Sequence, residues 1–212
     1  MASRNEQDYL RTIYELQSKK GRGVRTSEIA GKLEISLPSV TEMIGKLQAS
    51  GLVERKPYGS VSLTEKGTGE ARKVLRRHRL LEVFFAKLLK LRRTFHREAH
   101  ELEHAISQEA EIKLEKLLGN PKRCPDDDEI PARNARVVSL CNAPPGKPLR
   151  VLFTKLERKE ELTRVKALGI VKDEKVRILE RVSNGPLVLL VKGSRIALGK
   201  EVCSSIYVEF RE

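Results

Sequence analysis

IAGKLEISLPSVTEMIGKLQASGLV, residues 29–53, is the stretch on which the fold turns. Ile29, Ala30 and Leu33 fall at helical spacing, and so do Val40, Ile44 and Leu47. The spacing predicts a helix over about 27–33 and another over about 37–50, with the turn Glu34-Ile35-Ser36 between them. Ser36 is a candidate N-cap, and Pro38 suits a first helical turn, where a missing N–H costs nothing. Two short helices joined by a tight turn make a helix-turn-helix. Upstream, Leu10, Ile13 and Tyr14 place a further helix at about 5–19. Downstream, Gly51 ends the second helix and LVERKPYGSVSLT follows. Leu52–Arg55 and Val61–Leu63 read as short strands on either side of the turn Pro57-Tyr58-Gly59-Ser60. A hairpin directly after a helix-turn-helix is the wing of a winged helix.

Beyond the wing the period stays helical. Ala71, Val74, Leu75, Leu81, Phe84, Phe85 and Leu88 predict one long helix from Thr64. After a break at Leu91–Thr94, residues Phe95, Ala99, Leu102, Ile106 and Ala110 predict a single helix over about 95–118. Both helices carry more apolar surface than a winged helix can cover, so helices of a second copy are the expected cover, in a homodimer. GNPKRCPDDDEIPARNA, with three prolines and an acidic run, reads as a linker. VRILERV, PLVLLV and CSSIYVEF then read as strands punctuated by LGI, NGP and KGSRIALG, and a small closing β-barrel is expected. The fold class is α+β: a winged helix-turn-helix domain over residues 1–73, a helical metal-binding and dimerisation domain over 74–118, a linker over 119–135, and an SH3-like barrel over 136–212.

The net charge of +13 over 212 residues favours a polyanionic partner, because binding phosphates releases counterions. No apolar run approaches the ~20 residues of a membrane span. MASRNEQDYL has no signal-peptide core, so a cytoplasmic protein without membrane partners is expected. Cys124, Cys141 and Cys203 are far apart and form no C-x-x-C pair, which excludes a disulfide framework.

The chain has four histidines. Three lie in HREAHELEHAIS, His96–Ser107, where HELEH matches the H-E-x-x-H pattern of zinc metalloproteases. On a continuous helix at about 100° per residue, His96, His100 and His104 share one face with Glu103 beside them. His78 and Glu82 form an i, i+4 pair on the preceding helix. Imidazoles with carboxylates suit Fe(II) or Mn(II), and Zn(II) as well. A metalloenzyme, a metal sensor and a solvated polar face are all compatible with this pattern. No histidine follows His104, and two amphipathic helices after a winged helix are the wrong setting for a protease.

DYLRTIYEL at Asp8–Leu16, the helix-turn-helix above, RHRLLEVF at Arg77–Phe84 and HELEHAIS together resemble the diphtheria-toxin-repressor family of metal-dependent regulators, including its manganese-responsive branch. The resemblance covers residues 1–131, and the closing part looks like a FeoA, SH3-like domain. It implies a primary site of Asp8, His100, Glu103 and His104, and an ancillary site of His78, Glu82 and His96. Glu157 or Glu160 would complete the ancillary site, and Cys124 is a lesser candidate. Two positions depart from the pattern. Arg11 stands where the manganese branch has a bridging glutamate, and His100 stands where the family has Cys or Glu.

The implied function is a transcriptional regulator, a repressor of metal-uptake genes, whose dimer binds a double-stranded DNA operator when Fe(II) or Mn(II) is bound. Two recognition helices would then reach major grooves about 34 Å apart. Pro38, Ser39, Thr41 and Glu42 in the first turns of the recognition helix would face the bases, and Ser36 at its start is a further candidate DNA contact. Arg25, Lys46, Arg55, Lys56 and Tyr58 would contact phosphates. The alternatives are a metal-independent winged-helix regulator, a zinc metalloenzyme and a pure interaction module.

Overall fold

The structure, a computed structural model, describes residues 2–55, 60–133, 135–182 and 185–211. The expected wing turn therefore lies outside the described residues at Lys56–Gly59, and with it the candidate phosphate contacts Lys56 and Tyr58. The winged helix begins with α1 (Arg4–Lys20), a short strand β1 (Val24–Arg25), α2 (Thr26–Leu33) and α3 (Leu37–Ala49). Strands β2 (Val53–Arg55) and β3 (Ser60–Leu63) follow, and the sheet order is β1-β3-β2, antiparallel throughout. Ser36 caps α3, its hydroxyl accepting from the Ser39 N–H at 3.3 Å, and Pro38 sits in the first turn. Val40, Ile44 and Leu47 are buried, as their spacing requires. The two-residue strand β1 is too short to show a period in the sequence.

Thr64 accepts from the Gly67 N–H at 3.0 Å and so starts α4 (Glu65–Val83). Gly67 is needed there. A Cβ at this position would lie 1.9 Å from the Leu52 carbonyl oxygen. The α-helix does not run on to Leu88 as its spacing suggests. It passes into a π-helical turn, Phe84–Leu88, closed by Leu89 N–H to Phe84 C=O at 3.3 Å.

The helix expected over 95–118 is two helices, α5 (Phe95–Leu102) and α6 (Gln108–Leu117). The chain tightens at Ala105, whose N–H bonds the Leu102 carbonyl, and Ser107 then caps α6 by accepting from Ala110 N–H at 3.1 Å. Leu102, counted as apolar lining by its spacing, is 45% exposed.

Two small apolar clusters hold the helices together. Leu81 of α4, Phe85 of the π-helical turn and Ala99 of α5 pack together, and Leu80 and Val83 take in Cys124 and Ile130 from the proline-rich segment. That segment is therefore partly a packed element. Glu111 of α6, itself buried, accepts from Arg76 at 2.8 Å and Arg77 at 3.2 Å on α4.

The C-terminal part is a six-stranded antiparallel sheet of order β4-β9-β5-β6-β7-β8. Its strands are β4 (Ala135–Ser139), β5 (Leu149–Thr154), β6 (Lys175–Arg181), β7 (Leu187–Val191), β8 (Ser194–Leu198) and β9 (Ile206–Arg211), with α7 (Lys159–Ala167) and α8 (Lys200–Ser204) between them. One apolar cluster draws on the sheet by alternation, as in Leu187, Leu189 and Val191 of β7. The six-stranded ladder is linear among the described residues, with β4 and β8 at its ends. Two sequence expectations shift here. SRIAL is a strand where punctuation was expected, and Cys203 and Ser204 belong to α8.

Contacts group the chain into two units, Met1–Arg11 with Glu70–Arg133, and Thr12–Gly69 with Asn134–Glu212. Helix α1 begins in the first and ends in the second.

Candidate metal centre

All seven candidate ligands lie in the first unit. Each site is built by helix spacing. Asp8 and Arg11 are i, i+3 on α1, His78 and Glu82 are i, i+4 on α4, and His96 and His100 are i, i+4 on α5. Ala99 of α5 is fully buried against Leu81 and Phe85.

The imidazoles do not form one row. Asp8, His100, Glu103 and His104 offer ligand atoms all within 4.8 Å of one another, and His78, Glu82 and His96 do the same in a second group. In the first, His104 Nε2 lies 3.0 Å from Asp8 Oδ1 and 3.3 Å from Glu103 Oε1. His100 Nδ1 lies 3.1 Å from Glu103 Oε1 and 3.8 Å from Asp8 Oδ1. The break after Leu102 brings His104 here, off the α5 helix proper. In the second group, His96 Nδ1 is 2.7 Å and His78 Nε2 3.2 Å from Glu82 Oε1.

One carboxylate links the groups. Glu103, 0% exposed, directs Oε1 to the first group, and its Oε2 lies 2.6 Å from His78 Nδ1. His78 Nε2 faces the second group, so this is a carboxylate–histidine pair of the kind that orients a metal ligand.

Charge follows from these contacts. Burial alone would raise Glu82, but hydrogen bonds from His78 and His96 hold its carboxyl down at about 2. Burial likewise opposes ionisation of Glu103, and His78 and Arg11 outweigh it, so its pKa is lowered. Burial disfavours the charged form of His78, yet its hydrogen bonds to Glu103 and Glu82 leave the pKa raised.

Gln7 was invisible in the sequence as a site residue. Its Oε1 accepts from His104 Nδ1 at 2.8 Å, which leaves the Nε2 lone pair for the cluster. A polar residue one turn from a helix start carries no spacing signal, so only the fold reveals it.

Other expectations land elsewhere. Glu101, the glutamate of H-E-x-x-H, pairs with Arg4 at 2.8 Å on the surface, so the acid entering the cluster is Glu103. Burial pushes the Cys124 thiol up to about 11, helped by its hydrogen bond to Glu82, and the residue is not among the grouped ligand atoms. Glu157 accepts from Ser60 of β3, and neither it nor Glu160 belongs to either group among the described residues.

On α3, Ser36, Pro38, Ser39, Thr41, Glu42 and Lys46 are exposed, as is Arg25 at the start of α2. Several of them already have partners: the Thr41 hydroxyl donates to Leu37 C=O at 3.0 Å, Glu42 pairs with Lys46 at 2.7 Å, and Arg55 Nη2 donates to Thr41 C=O at 3.1 Å. Leu37, given no role by the sequence, is 49% exposed among them. Its spacing matches the buried Ile44, but it projects at the helix end.

Comparisons with known proteins give the family of each domain. Residues 1–61 match the iron-dependent-repressor N-terminal DNA-binding domain, and 64–132 match the iron-dependent-repressor metal-binding and dimerisation domain. Residues 138–210 match the FeoA domain. The chain is 30% identical to the iron-dependent repressor IdeR of Mycobacterium leprae, covering 95% of each protein. It is 30% identical to the diphtheria toxin repressor of Corynebacterium efficiens, over 95% of this chain and 93% of that protein. Among solved structures, it resembles a manganese-dependent transcriptional repressor in complex with manganese, at 30% identity and a TM-score of 0.57, over 96% of this chain and 98% of that one. ScaR with bound Zn2+ gives 30% identity and a TM-score of 0.54.

Proposed function

Because the chain belongs to the family of iron-dependent, diphtheria-toxin-type transcriptional repressors, we propose that its dimer binds an operator when Fe(II) or Mn(II) occupies the Asp8, His100, Glu103 and His104 group. The observation that carries this reading is the 3.0 Å approach of Asp8 to His104, residues 96 apart in sequence. Two carboxylates and two imidazoles fit a divalent cation of this class, and the donor set also admits Zn(II). His78, Glu82 and His96 form the ancillary site. The bound ion supplies the positive charge that lets Asp8 and Glu103 share one centre.

The remaining steps belong to the chain. Gln7 orients His104, and Glu103 orients His78. Asp8 fixes the first turns of α1 against α5, and α1 continues into the winged helix that carries α3. The exposed start of α3 reads the major groove through Leu37, Pro38, Ser39 and Thr41, while Arg25 and Lys46 contact phosphates. A coupling of ~1–3 kcal/mol between the two events corresponds to about 5- to 150-fold in DNA affinity.

The test is DNA binding by the full chain with Mn(II), with Fe(II) under anaerobic conditions, and with excess chelator. His104→Ala is expected to lose the metal-dependent gain while remaining folded. Equal binding by wild type in chelator and in metal would refute the proposal and favour a metal-independent winged-helix regulator.

A further inference from the structure

We infer that Arg11 is a resident cation in the primary site, one that competes with the metal for His100 and Glu103 and so sets the metal concentration at which the site fills. The inference rests on the ligand reading proposed above. Arg11 lies one turn after Asp8 on α1, and its side chain is only 12% exposed. Its Nη2 is 3.2 Å from His100 Nδ1. Its Nη1 is 3.6 Å from Glu103 Oε2.

A guanidinium has donors only. It can bond His100 Nδ1 only through the ring lone pair, and that nitrogen is the one lying 3.1 Å from Glu103 Oε1 inside the cluster. In the tautomer with Nδ1 unprotonated, the form in which this nitrogen can hold a metal, its lone pair is the one Arg11 covers. A divalent ion entering beside it also meets a fixed positive charge in a largely buried setting, where charges are weakly screened.

The guanidinium is not fully satisfied in this position. Among the described residues, its buried Nε has no hydrogen-bond partner. Meanwhile Arg11 neutralises Glu103, whose burial would otherwise be costly without a cation. The residue thus stabilises the metal-free site and opposes the loaded one. Arginine suits this role because it keeps its charge in such surroundings.

The test is a metal titration of the full chain with Mn(II), and separately with Zn(II), against a fluorescent chelator, combined with thermal melting of the metal-free protein. Arg11→Met, and Arg11→Gln as a second variant that keeps a donor without the charge, are expected to bind metal at least about tenfold more tightly, equal to ~1.4 kcal/mol. Both should melt at lower temperature than wild type when metal-free, with the difference abolished at saturating metal. Unchanged or weaker metal affinity in a folded variant would overturn the inference. His104→Ala in the same titration separates the two ideas. If it binds metal like wild type, the ligand reading has failed. If it loses binding while neither Arg11 variant binds more tightly, only the role of Arg11 has failed.

Discussion

At the scale of the residue, the centre is organised by Glu103. A wholly buried carboxylate is costly without compensating charge, and imidazoles of both groups lie against Glu103, His78 at 2.6 Å from Oε2 and His100 at 3.1 Å from Oε1. Gln7 holds His104 Nδ1 at 2.8 Å without belonging to either group of candidate ligands. Replacing Gln7 by Leu removes the acceptor that fixes His104, and a loss of about 10- to 100-fold in metal affinity is expected with the fold intact. Isothermal titration with Mn(II) checks this, and wild-type affinity in the variant would show that His104 needs no such support. Of the candidate site, the seven residues and their division into two groups could be read from the sequence through the family resemblance, and the fold brings each group together. Gln7 was not legible there, because nothing in a lone glutamine distinguishes an orienting contact from a solvated side chain. Arg11 was legible only as a departure from pattern. Its contact with His100 required the fold.

At the scale of the element, local signals decided what could be read. Ser36, Pro38 and the Val40–Ile44–Leu47 period define α3 without ambiguity. The division of α5 from α6 was hidden because Phe95, Ala99, Leu102 and Ile106 keep a helical period straight across the break. The competing signal was Ser107, an N-cap inside an apparent helix. Strand β8 was missed because Gly193 and Gly199 flank it and the segment read as a turn. The start of α2 carries a prediction of its own. Burial would raise Glu28, but Lys20, the Arg25 backbone N–H and Arg22 hold its pKa at about 2. A carboxylate whose folded pKa lies below the unfolded value of about 4.3 stabilises the fold above that pH and loses the effect as pH falls toward 2. Melting temperature between about pH 5 and pH 2 should therefore fall less steeply in Glu28→Gln than in wild type. Identical slopes would show that Glu28 contributes nothing to acid lability.

At the scale of the whole molecule, each unit has its own logic. In the second, the C-terminal sheet is braced on the wing. Buried Lys155 donates to Glu54 of β2 at 2.8 Å and to the Tyr207 hydroxyl at 2.7 Å, and Thr154 donates to the Gly21 carbonyl at 2.7 Å. In the first, the candidate ligands of α1, α4 and α5 and of the turn after α5 meet. Helix α1 is common to both, which makes it the element through which occupancy of the centre would reach α3. The net charge of +13 suits a DNA partner at this scale. The central claim is that one divalent ion joins Asp8 to the His100–His104 turn. Anomalous diffraction at the manganese edge from crystals of the Mn(II)-loaded full chain tests it directly. The account predicts a peak within bonding distance of Asp8, His100, Glu103 and His104 together. A loaded crystal whose only peaks lie away from Asp8 would contradict it.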